Sequence, residues 1–199
     1  MFDPNTTITI GLRTAAGKTD ITVRWPTDEE WGVHRRRRKI LRRNLGRGVS
    51  EDEIDNSEGD TKLYEAIKLN GAPQLTVAEA TRIVETISTC DVLGVDLHAE
   101  DAEIRLNTLL WGEFRHTIRI PTTDEVRSLQ RATKVLTHPY NVQEIRTNLE
   151  SSAALWDKCG GRGDGYLGAV PNIHKDVSIR AVIAAIDQEV LPKYDETNF

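Results

Sequence analysis

Residues Ile21–Leu41 read ITVRWPTDEEWGVHRRRRKIL, and His116–Leu136 read HTIRIPTTDEVRSLQRATKVL. The two segments align without a gap at an offset of 95, with identities at Thr22/Thr117, Arg24/Arg119, Pro26/Pro121, Thr27/Thr122, Glu30/Glu125, Arg36/Arg131, Lys39/Lys134 and Leu41/Leu136. Apolar character persists at Val23/Ile118, Trp25/Ile120, Trp31/Val126 and Ile40/Val135. A second echo, at an offset of 98, pairs APQLTVAEATRIV with VPNIHKDVSIRAV through Pro73/Pro171, Leu75/Ile173, Arg82/Arg180 and Val84/Val182. Self-similarity at a fixed spacing is the mark of internal duplication, here of a unit of about 95 residues.

Within the unit, Ile21, Val23 and Trp25 alternate with Thr22 and Arg24, as Ile118 and Ile120 alternate with Thr117 and Arg119. A period of two residues describes a strand with one buried face. Each strand then meets proline and a T-x-x-E box, Thr27 to Glu30 and Thr122 to Glu125, whose hydroxyl and carboxylate cap the first free N–H groups of a helix. Upstream, TTITIGL and AEIRLNTL read as first strands, joined to the second ones by turns carrying Gly17 and Gly112. Downstream, Thr61–Leu69, Thr76–Ser88, Asn141–Asp157 and His174–Val190 read as helices, with a further capping box at Thr76 and Glu79. The last of these helices carries an apolar stripe of Val177, Ala181, Ile183, Ala184 and Ile186.

The expected fold is therefore α+β: two tandem diverged repeats, each a β-hairpin followed by about three helices (ββααα). They occupy residues 1–90 and 102–191, with 91–101 as linker and 192–199 as C-terminal tail. Duplicated units often reproduce a homodimer within one chain, so a pseudo-twofold relation is expected between the copies.

The chain has 199 residues, 38% of them apolar, and no run of about 18 to 20 apolar residues that would span a bilayer. Its start, MFDPNTTITI, lacks the charged-then-apolar pattern of a signal peptide, which makes a cytoplasmic origin the expectation. Cys90 and Cys159 belong to no CxxC or Cys/His cluster and read as ordinary thiols. The four tryptophans, Trp25, Trp31, Trp111 and Trp156, are core candidates.

The strongest local signal is HRRRRKILRR, followed by Arg47: Arg35, Arg36, Arg37, Arg38, Lys39, Arg42, Arg43 and Arg47, with no acid among them. On a helix these cations form a candidate interaction patch, and guanidinium groups suit phosphate. Glu51, Asp52, Glu53 and Asp55 follow directly, then Glu58 and Asp60, a complementary acidic patch able to fold back on the cations or meet them in a neighbouring subunit. Net charge is −5, which argues against a chain that coats nucleic acid over its whole surface.

LGRG at 45–48 and GGRGDGYLG at 160–168 read as flexible connectors, since neither has the glycine spacing of a phosphate-binding loop. Arg162-Gly163-Asp164 spells an adhesion tripeptide, without the secretion signal or disulfides that would give it context. Asp96, His98 and Glu100 alternate beside Asp101 in a faint metal-ligand pattern, better explained as a polar linker. His34, His116, His138 and His174 are scattered, and no nucleophile elbow, H-E-x-x-H or catalytic-triad order occurs. No cofactor, metal or catalytic residue is expected.

The segments TVRWPTDEEWGVHRRRRKILRRNLGRGVSEDE and GYLGAVPNIHKDVSIRAVIAAI resemble small proteins of the tail and head structural modules of tailed bacteriophages. Those proteins carry an R-(F/W)-P-(S/T)-D-E-E-W start followed by a basic helix. The second copy departs from the pattern, with Val126 in place of the tryptophan. The resemblance implies a tail or virion component or an assembly factor, working through contacts with other phage structural proteins or itself. It also implies residence in the host cytoplasm during assembly or in the virion, with no membrane and no catalytic residues to carry over. Nucleic-acid binding through the basic helix at 34–47 is the alternative.

Overall fold

The computed structural model describes residues 2–14, 17–37, 39–47, 49–146 and 148–190. Among these residues the fold is mixed α+β, with ten strands in three sheets and six helices. The first strands are β1 (Thr7–Thr14) and β2 (Gly17–Arg24), an antiparallel hairpin that pairs Ile8 with Val23 and Ile10 with Ile21. That register collects every large apolar side chain of the hairpin on one face, the outcome the period-two alternation demands. Helix α1 (Asp28–Arg37) follows, then β3 (Lys39–Gly46), β4 (Val49–Asp55), α2 (Ser57–Ile67) and α3 (Val77–Ser88).

A four-stranded antiparallel sheet comes next, in the order β10-β7-β6-β5, built from β5 (Cys90–Leu97), β6 (Asp101–Thr108), β7 (Gly112–Arg119) and β10 (Arg162–Asp164). Helices α4 (Thr123–Ala132), α5 (Leu149–Lys158) and α6 (Asn172–Val190), with β8 (Lys134–His138) and β9 (Val142–Arg146), complete the chain. A third sheet joins distant segments in the order β4-β3-β9-β8.

One apolar core runs through the molecule. It takes Ile8, Ile10, Leu12, Ile21 and Val23 from the first hairpin, Ile83, Val84 and Ile87 from α3, and Ile104, Leu106, Phe114 and Ile118 from β6 and β7. Ile179 and Val182 of α6, which packs on β5 and β6, complete it. At its centre Trp25 packs edge-on against Phe2, Trp31 and Trp111, with ring centroids 4.8, 5.7 and 5.1 Å away. Trp25, Trp31 and Trp156 are buried and Trp111 is half-buried, so the tryptophans do serve the core.

Several expectations need correction. The helix opened by Thr27 stops at Arg37, and residues 39–46 and 49–55, expected as helix and acidic loop, are the paired strands β3 and β4. Extending the helix would have stacked like charges three and four residues apart. The hairpin instead sets Ile40 beside Ile54 and Arg42 beside Asp52. Similarly, the helix expected from Asn141 begins only at Leu149, because residues 134–146 form the β8–β9 hairpin around Tyr140 and Asn141, whose φ values are 66° and 61°. Each opening hairpin is thus followed by one helix, a second hairpin and further helices.

Most of the supposed linker, residues 91–101, is strand β5 laid against β6, and the tail 192–199 lies outside the described residues. The glycine-rich run at 160–168 is likewise no loose connector. Arg162–Asp164 pairs with β7, and a Cβ at Gly161 would stand 2.3 Å from the Trp156 ring.

Candidate interaction surface

The residues that open each helix are held by one repeated set of bonds. The Arg24 guanidinium donates to both Glu30 oxygens and to the Trp25 carbonyl, while Thr27 N–H donates to Glu30 Oε2 at 2.8 Å and Glu30 N–H donates to Thr27 Oγ1 at 3.2 Å. At the second site Arg119 donates to Glu125 and to the Ile120 carbonyl, and Thr122 and Glu125 close the same capping box. The Arg119 hydrogen bond, reinforced by the Thr122 backbone, holds the Glu125 carboxyl down at about 2. Thr27, Glu30, Thr122 and Glu125 are therefore structural caps that fix the angle between strand and helix.

The basic patch is not one continuous surface. Arg35 turns inward to Asp176 at 3.6 Å, Arg36 meets Glu150 at 2.6 Å and Arg37 meets Glu58 at 3.4 Å. Arg42 forms a two-pronged bond to Asp52, both contacts at 2.7 Å, which raises the guanidinium and lowers the carboxyl from their ordinary values. Arg43 and Arg47 are exposed, Arg43 beside Glu51 in the register. Arg38 and the side chain of Lys39 lie outside the described residues. The acids Glu51, Asp52, Glu53 and Asp55 line up along β4 as the outer strand of the third sheet.

That sheet is the unusual surface of the molecule. Every residue of β4 is exposed, as are all of β8 except Leu136, and the four strands find their main packing partners in one another. Ile54, Ile40, Ile145 and Val135 form one row across it, and Ile54 and Val135 are 49% exposed. Glu144 of the inner strand β9 is buried between Arg146 and His138, and those two hydrogen bonds hold its carboxyl below the ordinary range. Among the described residues both outer edges are open, because β4 neighbours only β3 and β8 only β9.

Two buried polar arrangements went unread in the sequence. His34 Nε2 lies 2.7 Å from Asp60 Oδ1 between α1 and α2, both side chains buried. They border a cavity of about 490 Å³ that Asn56 and Cys90 also line. Burial pushes the Cys90 thiol up to about 12, so it is a neutral wall group rather than an activated nucleophile.

The second arrangement links His174 Nδ1 to Tyr166 Oη at 2.9 Å, Tyr166 Oη to His116 Nε2 at 2.8 Å, and His116 Nδ1 to Ser178 Oγ at 2.6 Å. Ser178 also donates to the His174 carbonyl at 3.0 Å. One proton arrangement satisfies all four bonds: His174 donates to Tyr166, Tyr166 to His116, His116 to Ser178, and Ser178 back to the His174 backbone. It leaves the His116 imidazole neutral, with Nε2 accepting and Nδ1 donating. Burial agrees, lowering His116 to about 4 and, with help from the nearby His116, His174 to about 3.

The chain matches no known family model, curated protein or solved structure. The arrangement therefore has to be read from its own chemistry. Asp96, His98, Glu100 and Asp101 are exposed around the β5–β6 turn, and no group of three or more His, Cys, Asp or Glu among the described residues is placed to hold a metal ion. The missed polar circuit did leave a trace in the sequence. His116 occupies an inward position of β7 between Phe114 and Ile118, and His174 and Ser178 stand one helical turn apart. Among the described residues, no helix is long and apolar enough to cross a membrane.

Proposed function

We propose that this chain is a non-enzymatic structural or assembly protein of the tailed-bacteriophage type, a tail or virion component or assembly factor acting through protein–protein contacts. The observation that carries this reading is the open four-stranded sheet, with outer strands exposed on both faces and, among the described residues, no strand beyond either edge. An unpaired edge presents a row of N–H and C=O groups that templates another chain, and proteins without a use for such an edge cover or twist it away. The phage attribution comes from the sequence resemblance at residues 22–53 and 165–186.

The same reading takes the chain as a tandem duplication. In support, hairpin, helix, hairpin, helix occurs as β1-β2-α1-β3-β4-α2 and again as β6-β7-α4-β8-β9-α5. The Arg24/Glu30 and Arg119/Glu125 brackets stand 95 residues apart, as do their capping boxes. Shallow clefts between α1 and α2 and between α4 and α5 are lined at matching positions by Glu30 with Leu63 and by Glu125 with Leu155.

Nucleic-acid binding is the weaker reading, because Arg35, Arg36, Arg37 and Arg42 already face carboxylates that phosphate would have to displace. Mass spectrometry of intact particles and assembly intermediates from the producing host tests the proposal, and the chain is expected in one or both. Absence from both, together with DNA affinity that falls steeply with salt, would refute it.

A further inference from the structure

The two hairpins of the open sheet lie side by side in the same sense. In the order β4-β3-β9-β8 each hairpin contributes its second strand and then its first, so β4 corresponds to β9 and β3 to β8. A twofold axis, the arrangement expected from the sequence, would have put corresponding strands together at the centre. The seam instead joins unlike edges, β3 with β9. Among the described residues, unlike edges also remain open: β8, the counterpart of β3, and β4, the counterpart of β9. We infer that β8 of one copy pairs antiparallel with β4 of a second copy, repeating between molecules the β3–β9 seam within each. This rests on the assembly reading above and names its partner as the chain itself.

The register of the contact follows. The seam pairs Ile40 with Ile145, Leu41 with Glu144, Arg42 with Gln143 and Arg43 with Val142. Within the hairpins Ile40 faces Ile54 and Val135 faces Ile145, which makes Val135 the counterpart of Ile40 and Ile54 the counterpart of Ile145. Transposed to the open edges, Val135, Leu136, Thr137 and His138 face Ile54, Glu53, Asp52 and Glu51 of the next copy, and Lys134 faces its Asp55.

Three features agree with that register. The apolar row Ile54, Ile40, Ile145, Val135 continues unbroken into the next copy's Ile54, covering the two ends left half-exposed in the single chain. Leu136 against Glu53 repeats the Leu41–Glu144 pair of the seam. Lys134 and His138, on a strand without carboxylates, meet Asp55 and Glu51, on a strand without bases. Opposite charges across a ladder stabilise it, whereas β4 against a second β4 would set acid opposite acid. Joining unlike edges does not close in a pair, so the contact generates rings or filaments.

Sedimentation velocity of the full chain over a range of concentrations tests this. Growth beyond a dimer is expected, and weakening by salt. Lys134→Glu on β8, or Asp55→Lys on β4, should each leave monomers with an unchanged circular dichroism spectrum. Mixing the two variants should restore association, because each then meets a complementary edge. A wild-type chain that stays monomeric at high concentration, forms only a closed dimer, or associates equally well in both variants would overturn the inference. A monomer found in particles overturns only this inference, whereas a monomer absent from particles and intermediates removes the assembly reading as well.

Discussion

Lowering the pH from 7.5 to 5 should weaken this fold before any carboxylate contributes, through the closed circuit of His174, Tyr166, His116 and Ser178. The unfolded imidazoles take up protons near 6.5, while burial holds the folded ones at about 4 and about 3. Between those values the unfolded chain binds more protons, so the stabilisation is complete above 6.5 and drains away as pH falls toward the folded values. At pH 5 the gap from 6.5 corresponds to about 2 kcal/mol for one ring and up to about 4 kcal/mol for both. That is a large share of the roughly 5 to 15 kcal/mol typical of a domain. Urea unfolding at half-unit pH steps would measure the slope, and histidine NMR resonances would assign it. His116 and His174 should remain neutral at pH 5 in the folded protein. A flat profile between pH 6.5 and 5, or a folded-state midpoint near 6.5 for either ring, would refute the reasoning.

Other perturbations probe the scaffold. Thr122→Ala removes the hydroxyl that accepts from Glu125 N–H and should cost about 1 kcal/mol in urea unfolding, without changing the oligomeric state. Gly161→Ala drives a Cβ to within 2.3 Å of the Trp156 ring, and should lower the thermal midpoint and shift the tryptophan fluorescence. Phe2→Ala empties the centre of the aromatic cluster, a loss of about 3 to 5 kcal/mol by chemical denaturation.

Legibility in the sequence followed burial. The β1–β2 and β6–β7 hairpins could be read because one face of each meets the core, which forces Ile8, Ile10, Ile21 and Val23, and likewise Ile104, Leu106, Phe114 and Ile118, into alternation. The capping boxes at Thr76 and Thr122 could be read because their bonds close within three residues. Hairpins β3–β4 and β8–β9 could not, since outer strands exposed on both faces impose no alternation, and a run of arginines with Leu and Ile scores as helix. The acidic stretch does fold back on the basic one, through Arg42 and Asp52, but as neighbouring strands rather than as helix and loop. The pairs His34–Asp60 and His116–Ser178 join residues 26 and 62 positions apart, a separation over which local pattern carries no information.

Phe2 donates its N–H to the Gly165 carbonyl and accepts from Leu167 N–H, and its ring lies against Trp25, Trp111 and Tyr166. During translation Phe2 leaves the ribosome long before residues 165–167 have been made. The aromatic hub must therefore wait, with Trp25 lacking part of its cover, until residues 165–167 have emerged. Such a late-closing latch, joining residues far apart in sequence, delays commitment to the native state.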